Sequence, residues 1–390
     1  MKADTRLLHV GRHPHDHDGV VNTPVYRAST ILYPTVAEHQ ASGTRRLEKH
    51  NLSYGLHGTP THWALEDVIA DLEGGDRCLL VQSGLAAVTV PLLAFLKSGD
   101  HILMADSVYT PARRFCDVLL KDFGVETTYY DPLIDADGLR RLMQPNTRVV
   151  YLESPGSMTF EVQDVPALAA VAHDRGAVVM IDNTWGVYTF DAFRHGCDVS
   201  IQAGTKYLVG HSDVLIGSVT VKDKHWEQLK TRGAMTGCYA APDDVYLTTR
   251  GIRTLAIRLE RHAASALKVA EWLRDRPEVE EVLFPALPGA PGHELWKRDF
   301  TGACGLFGVR LKPFSDEAVR NMIDGLELFG IGSSWGGFES LCIANKRDTI
   351  RTATTFDASR PLMRLHIGLE DPDDLIADLD KGFGRLAAIG

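Results

Sequence analysis

Residues 164–183 read DVPALAAVAHDRGAVVMIDN, a helical pattern followed directly by a strand pattern. Pro166 suits the first turn of a helix, and Gly176 is the residue type that most often follows a helix C-terminus. AVVMI is a continuous apolar run, which is typical of a strand buried on both faces. This stretch therefore predicts a helix packed against a buried parallel sheet.

The same alternation of helix and strand extends outward from this unit. In THWALEDVIADLEGG, apolar residues recur at helical spacing from Leu65 to Leu72, and Gly74 ends the helix. The apolar runs RCLLVQ, HILMAD and RVVYLES each predict a strand that precedes another helix. The pattern indicates an α/β fold with a mostly parallel sheet covered by helices on both faces.

Three regions of the chain differ in pattern. Residues 1–57 contain few strongly periodic segments and predict an N-terminal arm that reaches a neighbouring subunit. Residues 58–252 carry the α/β alternation and form the predicted large domain. A long helix, the Pro/Gly-rich run ALPGAPGHE and the strand-like GLFGVRL then predict a smaller C-terminal α+β domain, residues 253–390.

Composition excludes several classes of function. Hydrophobic residues make up 44% of the 390 residues and charged residues 24%, as in an ordinary globular enzyme. The formal net charge of -10 and the lack of a basic stripe argue against nucleic-acid binding. The longest apolar run, near VTVPLLAFL, is too short to cross a bilayer, so no membrane association is expected.

The cysteines and the N-terminus predict a cytoplasmic protein. The 6 cysteines lack CxxC spacing, which favours neither a zinc site nor a disulfide framework, and a reducing compartment fits. MKADTRLLHV lacks the apolar core of a signal peptide. The polar run HPHDHD at residues 13–18 has metal-like composition but no cysteine nearby, and no metal site is expected.

Polar residues follow several of the apolar strands. In open parallel sheets, ligands bind beyond the carboxyl ends of the strands, so these residues are candidates for a common site. Ser83 and Gly84 follow LLVQ, Tyr109 follows HILMADSV, Asp182 follows VVMI, and Lys206 follows VSIQAGT. The ordinary alternatives are a tight strand–helix turn without a ligand at Ser83 and Gly84, an aspartate that caps the next turn at Asp182, and a surface lysine at Lys206.

Taken together, three of these features fit one cofactor. The turn QSGLAAV joins a strand to a helix through small residues and offers free backbone N–H groups to a phosphate, although it matches neither a P-loop nor a dinucleotide fingerprint. A carboxylate such as Asp182, at the end of a buried strand, needs a cationic or hydrogen-bonding partner. Pyridoxal phosphate requires a phosphate anchor, a carboxylate at its ring nitrogen and a lysine such as Lys206 for its aldehyde.

Longer motifs point to a family. IDNTW, IQAGTKYLVGHSD, LESPGSMTFEVQDVPA, SWGGFESL and MRLHIGLEDPDDLIADLD resemble, in order and over nearly the whole chain, the Cys/Met-metabolism family of pyridoxal-phosphate enzymes. The resemblance implies a type I fold with an arm, a large cofactor domain and a smaller C-terminal domain. It also implies a homotetramer built from two catalytic dimers.

The resemblance assigns roles to individual positions. Lys206 matches the lysine that forms a Schiff base with the cofactor, Asp182 the carboxylate at its ring nitrogen, and Tyr109 the tyrosine stacked on its ring. The positions that match phosphate-binding residues are Gly84, Leu85, Thr205 and, from a neighbouring subunit, Tyr54. Arg364 matches the arginine that holds the substrate carboxylate, with Ser334 and Trp335 beside it.

Two positions depart from the family pattern. The family usually has an arginine two residues after Tyr54 that also reaches the neighbour's phosphate, whereas this chain has Leu56, and His57 is the nearest conceivable substitute. Ala203 occupies a position where several relatives have a phosphate-binding serine.

The reaction is inferred from the segment SSWGG. Family members that act at the γ carbon typically have glutamate and leucine where this chain has Ser333 and Trp335, so β-elimination is favoured. The expected reaction cleaves the Cβ–S bond of L-cystathionine, a small amino-acid thioether, to homocysteine, pyruvate and ammonia, with Lys206 and Tyr109 as catalytic residues. The alternatives are a γ-lyase or γ-synthase on the same scaffold, and a regulatory protein that binds the cofactor.

Overall fold

A computed structural model describes residues 1–344 and 351–388 of the chain. The strands are β1 (Arg77–Val81), β2 (His101–Ala105), β3 (Glu126–Tyr130), β4 (Thr147–Glu153), β5 (Val178–Asp182), β6 (Val199–Gln202), β7 (Gly217–Val221), β8 (Val279–Leu283), β9 (Leu306–Leu311), β10 (Leu341–Ala344) and β11 (Leu362–His366). The α-helices are α1 (Ala3–His9), α2 (Val36–Thr44), α3 (Pro60–Glu73), α4 (Gly84–Phe95), α5 (Thr110–Phe115), α6 (Ala136–Leu142), α7 (Val165–Asp174), α8 (Asp223–Met235), α9 (Pro242–Ile252), α10 (Leu255–Arg274), α11 (His293–Asp299), α12 (Asp316–Asp324) and α13 (Pro372–Ala387).

The larger of two sheets contains seven strands in the order β1-β7-β6-β5-β4-β2-β3. β7 runs antiparallel to its neighbours β1 and β6, and the other neighbouring strands pair in parallel. β2 is buried along its whole length, as expected for a central strand covered on both faces. The predicted α/β architecture with a mostly parallel sheet is confirmed.

The helix and strand predicted within residues 164–183 are α7 and β5. The side chain of Asp164 caps α7 by accepting a hydrogen bond from the Ala167 N–H, and Pro166 lies in the first turn. The helix ends two residues before Gly176, which has a left-handed φ of 70°. The central residues of β5 are buried in the core, and the strand places Asp182 at the carboxyl-terminal end of the sheet.

The smaller sheet is antiparallel throughout, in the order β10-β11-β9-β8. α10 and α12 pack against it, and α13 packs against both of these helices. Asp371 caps α13 by accepting from the Asp373 N–H, and Leu375 and Leu379 on its inner face are fully buried. These features match the predicted smaller α+β region, while the proposed domain boundaries remain a prediction.

Residues 1–57 are not extended throughout, because α1, α2 and a 3-10 turn, Pro14–His17, lie within them. Arg6 in α1 forms an ion pair with Asp71 of α3 at 2.8 Å, which docks the start of the chain on the large sheet's helices. Contact of this segment with a neighbouring subunit remains a prediction. In residues 1–344 and 351–388, no helix combines the length and the apolar character needed to span a membrane.

Candidate active site

A cavity of about 280 Å³ opens at the carboxyl ends of β4 and β5. Residues of both sheets line it, since Glu153 and Asp182 end strands of the large sheet while Arg364 belongs to β11. The predicted site residues that line the cavity are Gly84, Leu85, Tyr109, Asp182, Thr205, Lys206, Trp335 and Arg364. The position of the cavity is the one expected for ligands of open α/β sheets.

Lys206 lies in the loop that follows β6, with its side chain in the cavity. Its Nζ donates a hydrogen bond of 2.7 Å to the Ser334 hydroxyl and lies 5.2 Å from the centre of the Trp335 ring. Burial and the nearby Arg364 lower the pKa of the amine to about 8, and Asp182 partly opposes them. A lysine with this pKa exchanges its proton near neutral pH, as a nucleophile or a general base must.

Asp182 presents a carboxylate whose charge is poorly compensated within the chain. Thr184 donates two hydrogen bonds to its Oδ1, from the backbone N–H at 3.1 Å and from the hydroxyl at 2.6 Å. Burial raises the pKa of the carboxyl despite these donors and Lys206. A cationic ring nitrogen in the cavity would stabilise the carboxylate, which is the partner predicted for it.

The turn before α4 forms one wall of the cavity. Ser83 caps the helix by accepting a hydrogen bond from the Ala86 N–H at 3.1 Å, and Gly84 and Leu85 occupy the first turn. The first N–H groups of a helix have no acceptor within it and can bind an anion. A Cβ on Gly84 would lie 2.6 Å from the Cβ of Ala203, so the close approach of this turn to the loop after β6 requires glycine.

Thr205 lines the cavity, but its hydroxyl is engaged by the backbone. The Thr205 Oγ1 donates to the Ile216 carbonyl and accepts from the Ile216 N–H, both at 3.1 Å. These contacts join the Lys206 loop to the start of β7. The predicted contact of Thr205 with a phosphate remains a prediction.

Arg364 faces the cavity from β11. Its Nη2 donates hydrogen bonds of 3.1 Å to the carbonyl oxygens of Ser333 and Ser334, and burial lowers its pKa to about 10. The guanidinium has further N–H donors, so it can hold a carboxylate while it keeps these contacts. Arg364, Ser334 and Trp335 are thus brought together around Lys206, as the resemblance implies.

Tyr109 lies at the mouth of the cavity and is 45% exposed. Its backbone N–H donates a 2.7 Å hydrogen bond to Oε2 of Glu153. Burial, with Asp182 and Glu153, raises the pKa of the Tyr109 hydroxyl, while Arg364 opposes this. The ring is therefore accessible to a planar ligand, and the hydroxyl is a weaker acid than that of a free tyrosine.

Glu153 is a cavity residue that sequence reasoning missed. It pairs in register with Asp182 across β4 and β5, and burial together with that neighbouring carboxylate raises the pKa of Glu153 well above its usual range. The signal was present, because Glu153 directly follows the apolar strand RVVYL in the same way that Asp182 follows VVMI.

Tyr54 does not line the cavity of its own chain. It is 45% exposed, and its hydroxyl accepts a 3.4 Å hydrogen bond from Ser29. Leu56 is also exposed, whereas His57 points into a separate polar cleft and lies 3.0 Å from the Ser53 hydroxyl. The predicted role of Tyr54 at a neighbour's cofactor remains a prediction.

The donor set of the cavity fits pyridoxal phosphate. The start of α4 offers N–H groups to a phosphate, Asp182 supplies an anion for a ring nitrogen, and Lys206 supplies an amine for the aldehyde. Among the described residues, no group of three or more His, Cys, Asp or Glu side chains is placed to hold a metal ion.

Comparison with known proteins identifies relatives that match this chain along almost its whole length. The chain is 49% identical to a "Putative cystathionine beta-lyase" of Rhizobium johnstonii, over 99% of this chain and 97% of that protein. It is 48% identical to "Cystathionine beta-lyase MetC" of Escherichia coli, over 99% of both chains. A crystal structure of MetB from Corynebacterium glutamicum matches with a TM-score of 0.90 and 31% identity, covering 99% of this chain and 98% of that one.

These matches confirm the predicted type I fold, the cofactor and the assignment as an enzyme. The family model described as "Cys/Met metabolism PLP-dependent enzyme" matches residues 4–384. The chain therefore belongs to the Cys/Met metabolism family of pyridoxal-phosphate-dependent enzymes.

Proposed function

We propose that this enzyme cleaves the Cβ–S bond of L-cystathionine, giving homocysteine, pyruvate and ammonia. The observation that carries the proposal is the position of residues 333–335, because Ser333 and Trp335 line the cavity and Ser334 contacts the Lys206 amine. These are the positions where family members acting at the γ carbon typically differ. The relatives from R. johnstonii and E. coli, named as cystathionine β-lyases, support the same substrate.

Different residues of the chain have different roles in this reaction. Arg364 holds the α-carboxylate of the substrate through charge-assisted hydrogen bonds from the N–H groups that the Ser333 and Ser334 carbonyls leave free, which fixes the direction of the Cα–H bond. When bound, pyridoxal phosphate withdraws electrons from Cα and makes its hydrogen acidic. The Lys206 amine, with a pKa of about 8, accepts this proton.

Loss of the thiolate from Cβ completes the bond cleavage. The leaving homocysteine needs one proton, and protonated Lys206 is the acid within reach of the cavity, with Tyr109 at its mouth as a second proton carrier. The released unsaturated amine then reacts with water to give pyruvate and ammonia. Asp182 would stabilise a positive charge on the ring nitrogen of the bound cofactor, and the Thr184 hydroxyl orients Asp182 by donating a hydrogen bond to its Oδ1.

We also propose a cytoplasmic location and a homotetramer of catalytic dimers. The lack of a disulfide framework supports the first, and the family resemblance supports the second. In such a dimer the exposed Tyr54 would contact the cofactor of the neighbouring subunit. Sedimentation of the purified enzyme measures the number of subunits directly.

Product analysis tests the proposed reaction. Purified enzyme with its cofactor and L-cystathionine should form pyruvate and homocysteine in equal amounts, which separation of the keto acids measures. Formation of 2-oxobutyrate with cysteine would instead indicate γ-elimination, and turnover of neither kind would favour a regulatory protein. The variant Lys206→Ala should lose the visible absorbance of the protein-bound cofactor and at least a thousandfold of kcat, about 4 kcal/mol of barrier, whereas nearly full activity would contradict the assignment.

A further inference from the structure

The SSWGG segment, residues 333–337, is held at both ends by one face of β11. Side chains two residues apart in a strand point to the same face, and Arg364 and His366 are such a pair. Arg364 donates to the carbonyls of Ser333 and Ser334, while the Nε2 of His366 lies 3.0 Å from the carbonyl oxygen of Gly337. Arg364 is assigned to the substrate, but His366 is 1% exposed and cannot contact it.

The hydrogen bond from His366 has a defined direction. A carbonyl oxygen can only accept, so Nε2 carries the proton and donates to Gly337. Nδ1 is then the acceptor and faces the Tyr207 hydroxyl at 3.5 Å. Burial and the neighbouring His262 lower the pKa of His366 to about 3, so the ring is neutral throughout the range in which enzymes of this kind work.

Tyr207 joins this histidine to the catalytic lysine. It follows Lys206 in the chain, and its ring centre lies 5.8 Å from that of His366 and 5.5 Å from that of Trp335. The Gly305 N–H donates a 2.8 Å hydrogen bond to the Tyr207 hydroxyl, which anchors the ring to the start of β9. One buried aromatic ring therefore contacts both the histidine and the indole of the SSWGG segment.

The segment also lies directly on the main chain of Lys206. Gly336 has a φ of 88°, and a Cβ at this position would lie 3.0 Å from the Cα of Lys206. With this close approach, a displacement of Gly337 moves Ser334 and Trp335 relative to the lysine amine. At the far end of the segment, His366 contacts the Gly337 carbonyl, and the Leu369 N–H donates a 2.8 Å hydrogen bond to the carbonyl of the adjacent Phe338.

We propose that His366 is a positioning residue, which acts through the Gly337 carbonyl and the Tyr207 ring to hold Ser334 and Trp335 against Lys206. The proposal deepens the proposed function and rests on it for the identity of the substrate. His366 does not touch the reacting atoms. Its loss changes how well the amine is placed for proton transfer, so kcat is expected to fall more than KM rises.

The test compares His366→Gln with His366→Met, two side chains of similar length and shape. The Gln amide keeps an N–H donor near the position of Nε2, and Met has no donor. We expect kcat/KM for L-cystathionine to fall about tenfold in the Met variant, as for the loss of one buried hydrogen bond. The Gln variant should recover most of the wild-type value.

Hydrogen exchange supplies a second readout that requires no substrate. Backbone amides within residues 333–338 should exchange faster in the Met variant than in the Gln variant, as measured by mass spectrometry of peptides from the holoenzyme. The matched control is His62→Met, since His62 is also buried and its Nε2 lies 2.9 Å from a backbone carbonyl oxygen, that of Ala240, outside the cluster around Tyr207. This control should lower the unfolding temperature without faster exchange at 333–338.

Equal kcat/KM and equal exchange in the Gln and Met variants would overturn the proposal, as would the same local exchange in the His62 variant. If His366→Met does not fold, His366→Asn replaces it, because its shorter amide cannot reach Gly337 and should behave as the Met variant does. A wild-type enzyme that gives no pyruvate from cystathionine would refute the proposed function alone, since the exchange comparison would still decide the role of His366.

Discussion

The amine of Lys206 is partly buried and lies between charges of opposite sign, and burial has the largest effect on its pKa. Arg364 lowers the pKa of this amine and Asp182 raises it, while burial brings the value to about 8. An amine reacts as a nucleophile only in its neutral form. In the cofactor-free enzyme, labelling of Lys206 by an amine-directed acyl reagent should therefore rise with pH, with a midpoint near pH 8, and level off above about pH 9.

Variants of the two charged neighbours should move this midpoint in opposite directions. Arg364→Gln removes a cation that disfavours the protonated amine, so the midpoint should rise. Asp182→Asn removes an anion that favours the protonated amine, so the midpoint should fall. Mass spectrometry of the peptide that contains Lys206 measures both shifts, and movement of both midpoints in the same direction would contradict this electrostatic account.

The sequence predicts which polar side chains lie at the cavity better than it predicts the contacts that those side chains make. Lys206 and Asp182 were found from the carboxyl ends of apolar strands, because the pattern of a parallel sheet places such residues at one edge. The engagement of the Thr205 hydroxyl by Ile216 could not be found in this way, since it depends on where β7 begins in space. The contact of His366 with Gly337 joins residues 29 positions apart and leaves no local pattern.

The start of α4 depends on the loop after β6 as much as on its own sequence. Gly84→Ala places a methyl group 2.6 Å from the Cβ of Ala203, so α4 or the Lys206 loop must shift. We expect the affinity for pyridoxal phosphate to fall about tenfold, roughly 1.4 kcal/mol, because the shift misplaces the N–H groups offered to the phosphate. Titration of the cofactor-free variant with the cofactor measures this change.

Gly384→Ala is the matched control for this substitution. Gly384 also lies in a helix, α13, but nothing would meet its added Cβ within 4 Å. The change should stabilise the enzyme by about 0.5–1 kcal/mol in thermal unfolding, as alanine does in helices, and leave cofactor affinity unchanged. Equal cofactor affinity in the Gly84 and Gly384 variants would mean that the Gly84 turn does not hold the phosphate.

The helices and buried strands with a strong hydrophobic periodicity were predicted correctly. α3, α7, α10 and α13 each carry an apolar stripe or a capping signal, and their sequence patterns sufficed. The short helices α1 and α2 within residues 1–57 were not predicted, because each is under ten residues long and owes its conformation to docking and capping contacts such as Arg6–Asp71.

Residues from distant parts of the chain line the cavity. β5 of the large sheet and the loop after β6 supply Asp182 and Lys206, β11 of the smaller sheet supplies Arg364, and the SSWGG segment precedes β10. Sequence patterns predicted the large sheet and a smaller α+β domain, but not how the two are placed relative to each other. The roles proposed for Arg364 and Trp335 rest on resemblance to the family, and they remain predictions.

The cavity wall that is expected to hold the phosphate has no cationic side chain of its own. The cationic side chains among the described cavity residues are Lys206 and Arg364, and the wall formed by Gly84, Leu85 and Thr205 carries no charge. Family members typically add an arginine from the neighbouring subunit, at the position that is Leu56 here. Leu56 is 39% exposed, so its side chain is free to meet a neighbour.

Leu56→Arg should therefore tighten binding of pyridoxal phosphate, since a guanidinium can hold a phosphate by two hydrogen bonds. We expect about a tenfold lower Kd, roughly 1.4 kcal/mol, when the cofactor-free enzyme is titrated at low salt, and a smaller gain at high salt because ions screen the charge. Leu56→Gln is the control, as it adds polarity and length without charge and should leave Kd nearly unchanged. Equal affinities in the two variants would show that residue 56 does not reach a neighbour's phosphate. That result would contradict the expectation that residues 1–57 complete the site of another subunit.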